Sequence, residues 1–260
     1  MSLTDILLLT AAAFGAGVMN AMAGGGTILT FPALILLGMP AITANATSTV
    51  ALLPGAAASL FGFRREVSEH RAWLKTLFLP SLIGGAIGSV LLLRTPEKVF
   101  ANLAPFLILF ATVLFMIQGA VSRRLKTSTA ASSDPAHLSG RRWAVASLLQ
   151  LAVALYGGYF GAGIGILMLA LLGFLGLSDI HAMNGLKNFF NLCINTVAAI
   201  YFILRGAVVW PIALVIVVGA TLGGYAGARF ARHIGREKAR AAVVVIGLLV
   251  TAILAWQQLR

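Results

Sequence analysis

The chain has 260 residues, of which 60% are hydrophobic and only 10% charged, whereas about a quarter of a soluble domain's residues are charged. Lipid must therefore solvate most of its surface, which excludes a water-soluble globular domain. The net charge of +12 comes from 19 Lys and Arg against 7 Asp and Glu, but these basic residues sit in short gaps between apolar runs, which excludes a nucleic-acid footprint and points to a topogenic role.

The first segment follows Met1–Asp5, which carries an acid and no Lys or Arg. A cleavable signal peptide starts with a basic region, so this segment is expected to be retained as a span. Crossing the hydrocarbon takes about 20 apolar helical residues. Runs of that order occur near 6–22, 42–62, 76–93, 99–121, 143–160, 188–204, 206–228 and 241–257. Two shorter runs, near 27–38 and 163–176, follow the glycine clusters Gly24-Gly25-Gly26 and Gly161-Ala162-Gly163-Ile164-Gly165. Too short to cross alone, they are expected to be half-helices or re-entrant elements. The pattern predicts an all-α polytopic membrane protein with about 8–10 embedded segments.

Between the halves lies Ser122–Gly140, the only long polar segment, too poor in apolar residues to fold alone. It predicts a division into a first repeat at 1–121, a linker at 122–140 and a second repeat at 141–260. At an offset of about 138 residues Gly25 falls on Gly163, Gly38 on Gly176 and Ala44 on Ala182, and at one residue more Gly84-Gly85 falls on Gly223-Gly224. The loop near 63–75 holds Arg64, Arg65, Arg71 and Lys75, but its counterpart holds only Arg205. Conversely, the loop near 94–98 holds Arg94 and Lys98, and its counterpart Arg229, Arg232, Arg236, Lys238 and Arg240. Equivalent loops on opposite faces mean two inverted-topology repeats. The basic loops and the linker are then cytoplasmic and both termini face outward.

In the second half, Asn184, Lys187, Asn188, Asn191 and Asn195 recur at i, i+3, i+4, i+7 and i+11 and so line one helical face. Lysine at the centre of a span costs about 2.5–3.5 kcal/mol, so the run asks for an explanation. One is that Lys187 and the amide donors hold an anion with several acceptor oxygens. The other is that the Asn residues join helices by hydrogen bonds and Lys187 snorkels from near the helix start, expected at Ser178 or Asp179. In the first half the same position reads Thr43 to Thr49, with hydroxyls and no charge. Glycine lets the chain leave the helix and present bare N–H groups, while the next half-helix aims its positive end there.

The candidate substrate-binding set is therefore Asn20, Gly24, Gly25, Gly26, Thr27, Thr47, Ser48, Gly161, Gly163, Asn184, Lys187, Asn188 and Asn191. Catalytic residues, cofactor and metal are expected to be absent: Cys193 is the sole cysteine, and no nucleophile elbow, phosphate loop or zinc-ligand pair occurs. Asp179 and His181 read as a helix start with Ser178 as N-cap. The rival functions are an anion channel and an intramembrane enzyme using His181 or Lys187. Homo-oligomerisation is left open.

Taken together, Gly15-Ala16-Gly17, Gly24-Gly25-Gly26, Phe31-Pro32-Ala33-Leu34, Ala44 to Ser48, Asn184-Gly185-Leu186-Lys187-Asn188 and Gly223 to Arg229 resemble the TauE/SafE family of sulfite and organosulfur-anion exporters. The resemblance covers nearly the whole chain outside the linker. It implies a bacterial inner-membrane transporter of small anions such as sulfite or sulfoacetate-like sulfonates. Family members often carry an Asn-Lys pair after the first glycine motif, where this chain has Thr47-Ser48-Thr49 and keeps its Lys in the second half. The expected mechanism is binding at mid-membrane with Lys187 as countercharge, and rocking of one half against the other.

Overall fold

The computed structural model describes residues 3–22, 25–61, 63–127, 140–177, 179–234 and 236–258. Among them the chain forms eleven helices and no strand, the form in which a backbone satisfies its own polar groups in lipid. In order these are α1 (Leu3–Met22), α2 (Thr27–Leu36), α3 (Ala41–Phe61), α4 (Arg64–Glu69), α5 (Arg71–Arg94) and α6 (Glu97–Thr127). There follow α7 (Gly140–Tyr159), α8 (Ile164–Phe174), α9 (Ile180–Leu204), α10 (Trp210–Ile234) and α11 (Arg236–Gln258). By length and composition Arg71–Arg94, Glu97–Ile117 and Ile180–Leu204 suffice to cross a membrane among the described residues. Thr30, Asn45, Thr47, Ser48 and Gln150 are buried within an otherwise apolar core, while large apolar side chains such as Phe106, Leu148, Leu204 and Leu222 are exposed. An apolar exterior of this kind is what a lipid solvent selects.

At 10 and 11 residues, α2 and α8 are about 15 Å long, half of the hydrocarbon thickness. Each starts just after a glycine with positive φ, Gly25 at 107° and Gly163 at 77°, a backbone region that other residues enter at a cost.

The helices of the two halves interlock. Along α1 and α10 the backbones touch: a Cβ on Gly223 would overlap the Phe14 carbonyl, and one on Gly17 the Ala220 carbonyl. Along α5 and α7, a Cβ on Gly88 would overlap the Leu155 carbonyl and one on Gly158 the Gly85 carbonyl. From Gly219 against Thr10 to Gly223 against Phe14, and from Gly84 against Leu151 to Gly88 against Leu155, the residue numbers rise together, so each pair runs parallel. Small residues are what permit such approach in lipid, where tight packing replaces the hydrophobic drive. These contacts tie the N-terminal half of the chain to its C-terminal half along both helix pairs.

Helix α9 starts beside α4, where Gly185 packs against Phe63, Glu66 and Val67. Helix α3 starts at the other end, where Val209 N–H, just ahead of α10, donates to Thr47 Oγ1 at 3.1 Å and the Ala41 N–H donates to Glu97. Thus α3 and α9 run in opposite directions, and α2 and α8, which lead into them, point to opposite ends.

Several local expectations change. Helix α6 continues to Thr127, into the predicted linker, because Arg123, Arg124, Leu125 and Lys126 are good helix formers. Linker residues 128–139 lie outside the described residues. The basic stretch near 229–240, expected as a loop, is helical on both sides of residue 235, and the loop near 63–75 contains α4. Asp179 caps α9, accepting from the His181 N–H at 2.8 Å, while Ser178 lies outside the described residues.

Candidate functional site

A cavity of about 80 Å³ opens where α1, α2, α3, α6, α8 and α9 meet. A single water needs about 10–15 Å³ on this measure, so the space suits a small ion with its own oxygens. Its wall comes from Asn20, Gly25 and Thr27, from Thr49, Leu52, Leu53, Gly55, Ala56 and Ser59 on α3, and from Phe115 on α6. Gly161, Gly163, Ile164, Gly165 and Ile166 at the start of α8, and Lys187, Asn188, Asn191 and Asn195 on α9, complete it. That lining contains no Asp or Glu.

The half-helices α2 and α8 border the cavity with their N-terminal ends, Thr27 and Ile164. Each such end carries roughly half a positive charge from the aligned peptide dipoles. The Gly165 N–H has no hydrogen-bond partner among the described residues, as the first turn of a helix leaves it. Lys187 stands seven residues after Ile180, about 10 Å along the helix at 1.5 Å per residue. Its stem lies along Gly165, where an added Cβ would come within 3.3 Å of Lys187 Cδ. Its Nζ donates to Asn184 Oδ1 at 3.1 Å, and the Asn184 Nδ2 in turn donates to the Ile180 carbonyl at 2.7 Å. Asn184 thus steadies the ammonium from behind and does not line the cavity.

Of the residues singled out in the sequence, Asn20, Gly25, Thr27, Gly161, Gly163, Lys187, Asn188 and Asn191 meet at the cavity. Gly24 lies outside the described residues. The bare N–H groups expected of Gly25 and Gly26 are already taken: both donate to Asn20 Oδ1, at 3.0 and 2.8 Å. Gly26 itself is buried behind the wall. Asn20 is therefore the clamp that shapes the loop into α2, with its Nδ2 left as a donor. Thr47 and Ser48 are buried away from the cavity: Thr47 accepts from Val209 N–H, and Ser48 Oγ lies 2.6 Å from Thr30 Oγ1. The phase of α3 decides this, since Thr49, Leu52, Leu53, Ala56 and Ser59 share the face toward the cavity.

Thr49, Ser59, Gly165 and Asn195 were not in the sequence-derived set. Asn195 lay on the polar face already recognised, and Gly165 in the glycine motif. Ser59 had no sequence signal; it accepts from Asn188 Nδ2 at 3.2 Å and so ties α3 to α9. Asn195 Nδ2 donates to the Asn191 carbonyl and to Asn191 Oδ1, at 2.8 and 2.7 Å, which leaves Asn191 Nδ2 as a donor. No cluster of His, Cys, Asp and Glu that could hold a metal occurs among the described residues.

The family model described as Sulfite exporter TauE/SafE matches residues 9–254. A "Probable membrane transporter protein" of Haemophilus influenzae is 30% identical, over 98% of this chain and 96% of that one. "Probable membrane transporter protein ORF9" of Sinorhizobium sp is 25% identical, over 94% and 89% of the two chains. "Probable membrane transporter protein YfcA" of Escherichia coli K12 is 26% identical, over 91% and 84%. No solved structure matches significantly.

Proposed function

The chain belongs to the TauE/SafE sulfite exporter family and is a membrane protein; from that premise we propose that it is a secondary transporter that exports small anions such as sulfite or sulfoacetate-like sulfonates. The family and its relatives' names point to a transporter rather than an enzyme. One observation carries the choice of an anion: the Lys187 ammonium and two helix N-termini border one small cavity whose lining has no Asp or Glu. Around it Asn20 Nδ2, Asn191 Nδ2, the Gly165 N–H and the hydroxyls of Thr27 and Ser59 are donors for a pyramidal or tetrahedral oxyanion.

The halves, residues 1–121 and 141–260, are inverted repeats, and the substrate sits between them. Two features support this reading: the paired positions Gly25 and Gly163, and Gly38 and Gly176, all have positive φ, and the α1–α10 contact has its mirror in α5–α7. The end with Arg64 and Arg65 faces the cytoplasm of a bacterial inner membrane, by the positive-inside rule. The opposite end, near Glu97, faces the periplasm together with both termini. An inside-negative potential then drives each exported charge outward by about 2.3 kcal/mol per 100 mV.

Binding of radiolabelled sulfite to purified protein tests the site. A charge-assisted contact contributes about 1.5–3 kcal/mol, so Lys187→Gln is expected to weaken binding by about 10- to 100-fold. Unchanged affinity in that variant would remove Lys187 from the site.

A further inference from the structure

We infer that the Glu97 end of the bundle is a gate, closed in this structure, and that Phe31 and Asn45 hold it shut; this rests on the cavity being the transport site. Three phenyl rings stand between the cavity and that end. Phe31 is one turn beyond the cavity-lining Thr27, Phe160 directly precedes the cavity-lining Gly161, and Phe100 comes from the start of α6. The rings meet edge to face, with centroids 5.3 Å apart for Phe31 and Phe160, 6.2 Å for Phe31 and Phe100, and 6.3 Å for Phe100 and Phe160. None is more than 2% exposed. An ion stripped of water does not pass such a layer without its parting.

Polar ties gather at the same end. Asn45 Nδ2, one turn beyond cavity-lining Thr49, donates to the Tyr159 carbonyl at 3.1 Å, which joins α3 to the break between α7 and α8. Glu97 accepts from the first N–H groups of α3, fixing α3 to α6. The Asn45 Oδ1 is buried and has no hydrogen-bond partner among the described residues. A buried unsatisfied amide oxygen is costly, so Asn45 is poorly explained as a stabilising residue. It fits a clasp that must also release.

The opposite end is built differently. At the offset of 138 residues the counterpart of Phe31 is Leu169 and that of Asn45 is Met183. Neither can repeat the ring layer or the amide clasp, and methionine repacks readily. Leu169 and Met183 instead pack in a cluster with Trp73 and Phe190, so the two ends differ at the positions equivalent to Phe31 and Asn45. Release to the clasped side requires Phe31 and Asn45 to leave Phe160 and Tyr159, a movement of α2 and α3 against the α7–α8 break.

The test is thiol accessibility in the full-length protein. The reporter Thr49→Cys, in a Cys193→Ser background, is exposed to membrane-impermeant sulfonatoethyl methanethiosulfonate in right-side-out and in inverted vesicles. The reporter is expected to label from one face only. Adding Phe31→Leu or Asn45→Ala is expected to raise labelling from the other face by about tenfold, the effect of losing one hydrogen bond's worth of closure. Labelling of the parent from both faces overturns the gate, as does an unchanged rate in both variants. Should Asn45→Ala fail to accumulate, Phe31→Leu decides alone. Anion flux is read separately: one-faced labelling in a protein that moves no anion would keep the gate and defeat the transport reading.

Discussion

Lys187 and the residues that hold it show what a single side chain contributes. The lysine was legible in the sequence because charge inside an apolar run is costly and needs a reason. Its setting was not, since Asn184 supports the ammonium from behind while Gly165 leaves room for its stem. Gly165→Ala would place a Cβ 3.3 Å from Lys187 Cδ and push the stem by a few tenths of an ångström. We expect sulfite affinity to fall, by less than in Lys187→Gln, with the fold intact; affinity equal to wild type would show that the stem does not set the position of the charge. Asn20 was expected as a ligand donor and is also the acceptor for two N–H groups of the glycine turn. No spacing in the sequence discloses this, because it depends on the chain folding back. Thr47 and Ser48 were misplaced for a related reason: a run of hydroxyls on one helix says little about which of them meets the cavity.

Among the elements, the half-helices were the most legible. Their short apolar runs after glycine clusters needed only the length rule, and α2 and α8 begin within about a residue of the expected positions. The glycine pairs of α5 and α10 were readable as packing sites but not as partners of α7 and α1, since long-range pairing leaves no trace in one sequence. Gly223→Leu would drive a side chain into the Phe14 carbonyl, and we expect the variant to be lost from the membrane fraction; normal accumulation would mean that α1 and α10 separate freely. Gly163→Ala meets a smaller obstacle. Its φ of 77° carries a cost of about 1–2 kcal/mol for a residue with a Cβ, so a lower melting temperature with retained expression is expected. A melting temperature at or above wild type would contradict the observed turn.

For the whole molecule, the sequence disclosed the membrane class and the all-helical fold, but not which helices of the first half lie against which of the second. That pairing runs through backbone contacts along α1–α10 and α5–α7, and the proposed gate places its motion in α2 and α3 at the cavity. The proposed orientation makes its own prediction: Ala130→Cys and Arg260→Cys should label from opposite faces of the membrane, and labelling from the same face would contradict it. The central claim is that a small anion crosses through the cavity beside Lys187. Counterflow of radiolabelled sulfite into proteoliposomes loaded with unlabelled sulfite tests it most directly. Wild type is predicted to show a transient, saturable overshoot that Lys187→Gln lacks; an overshoot of equal size in the variant, or linear unsaturable entry in wild type, would contradict the account.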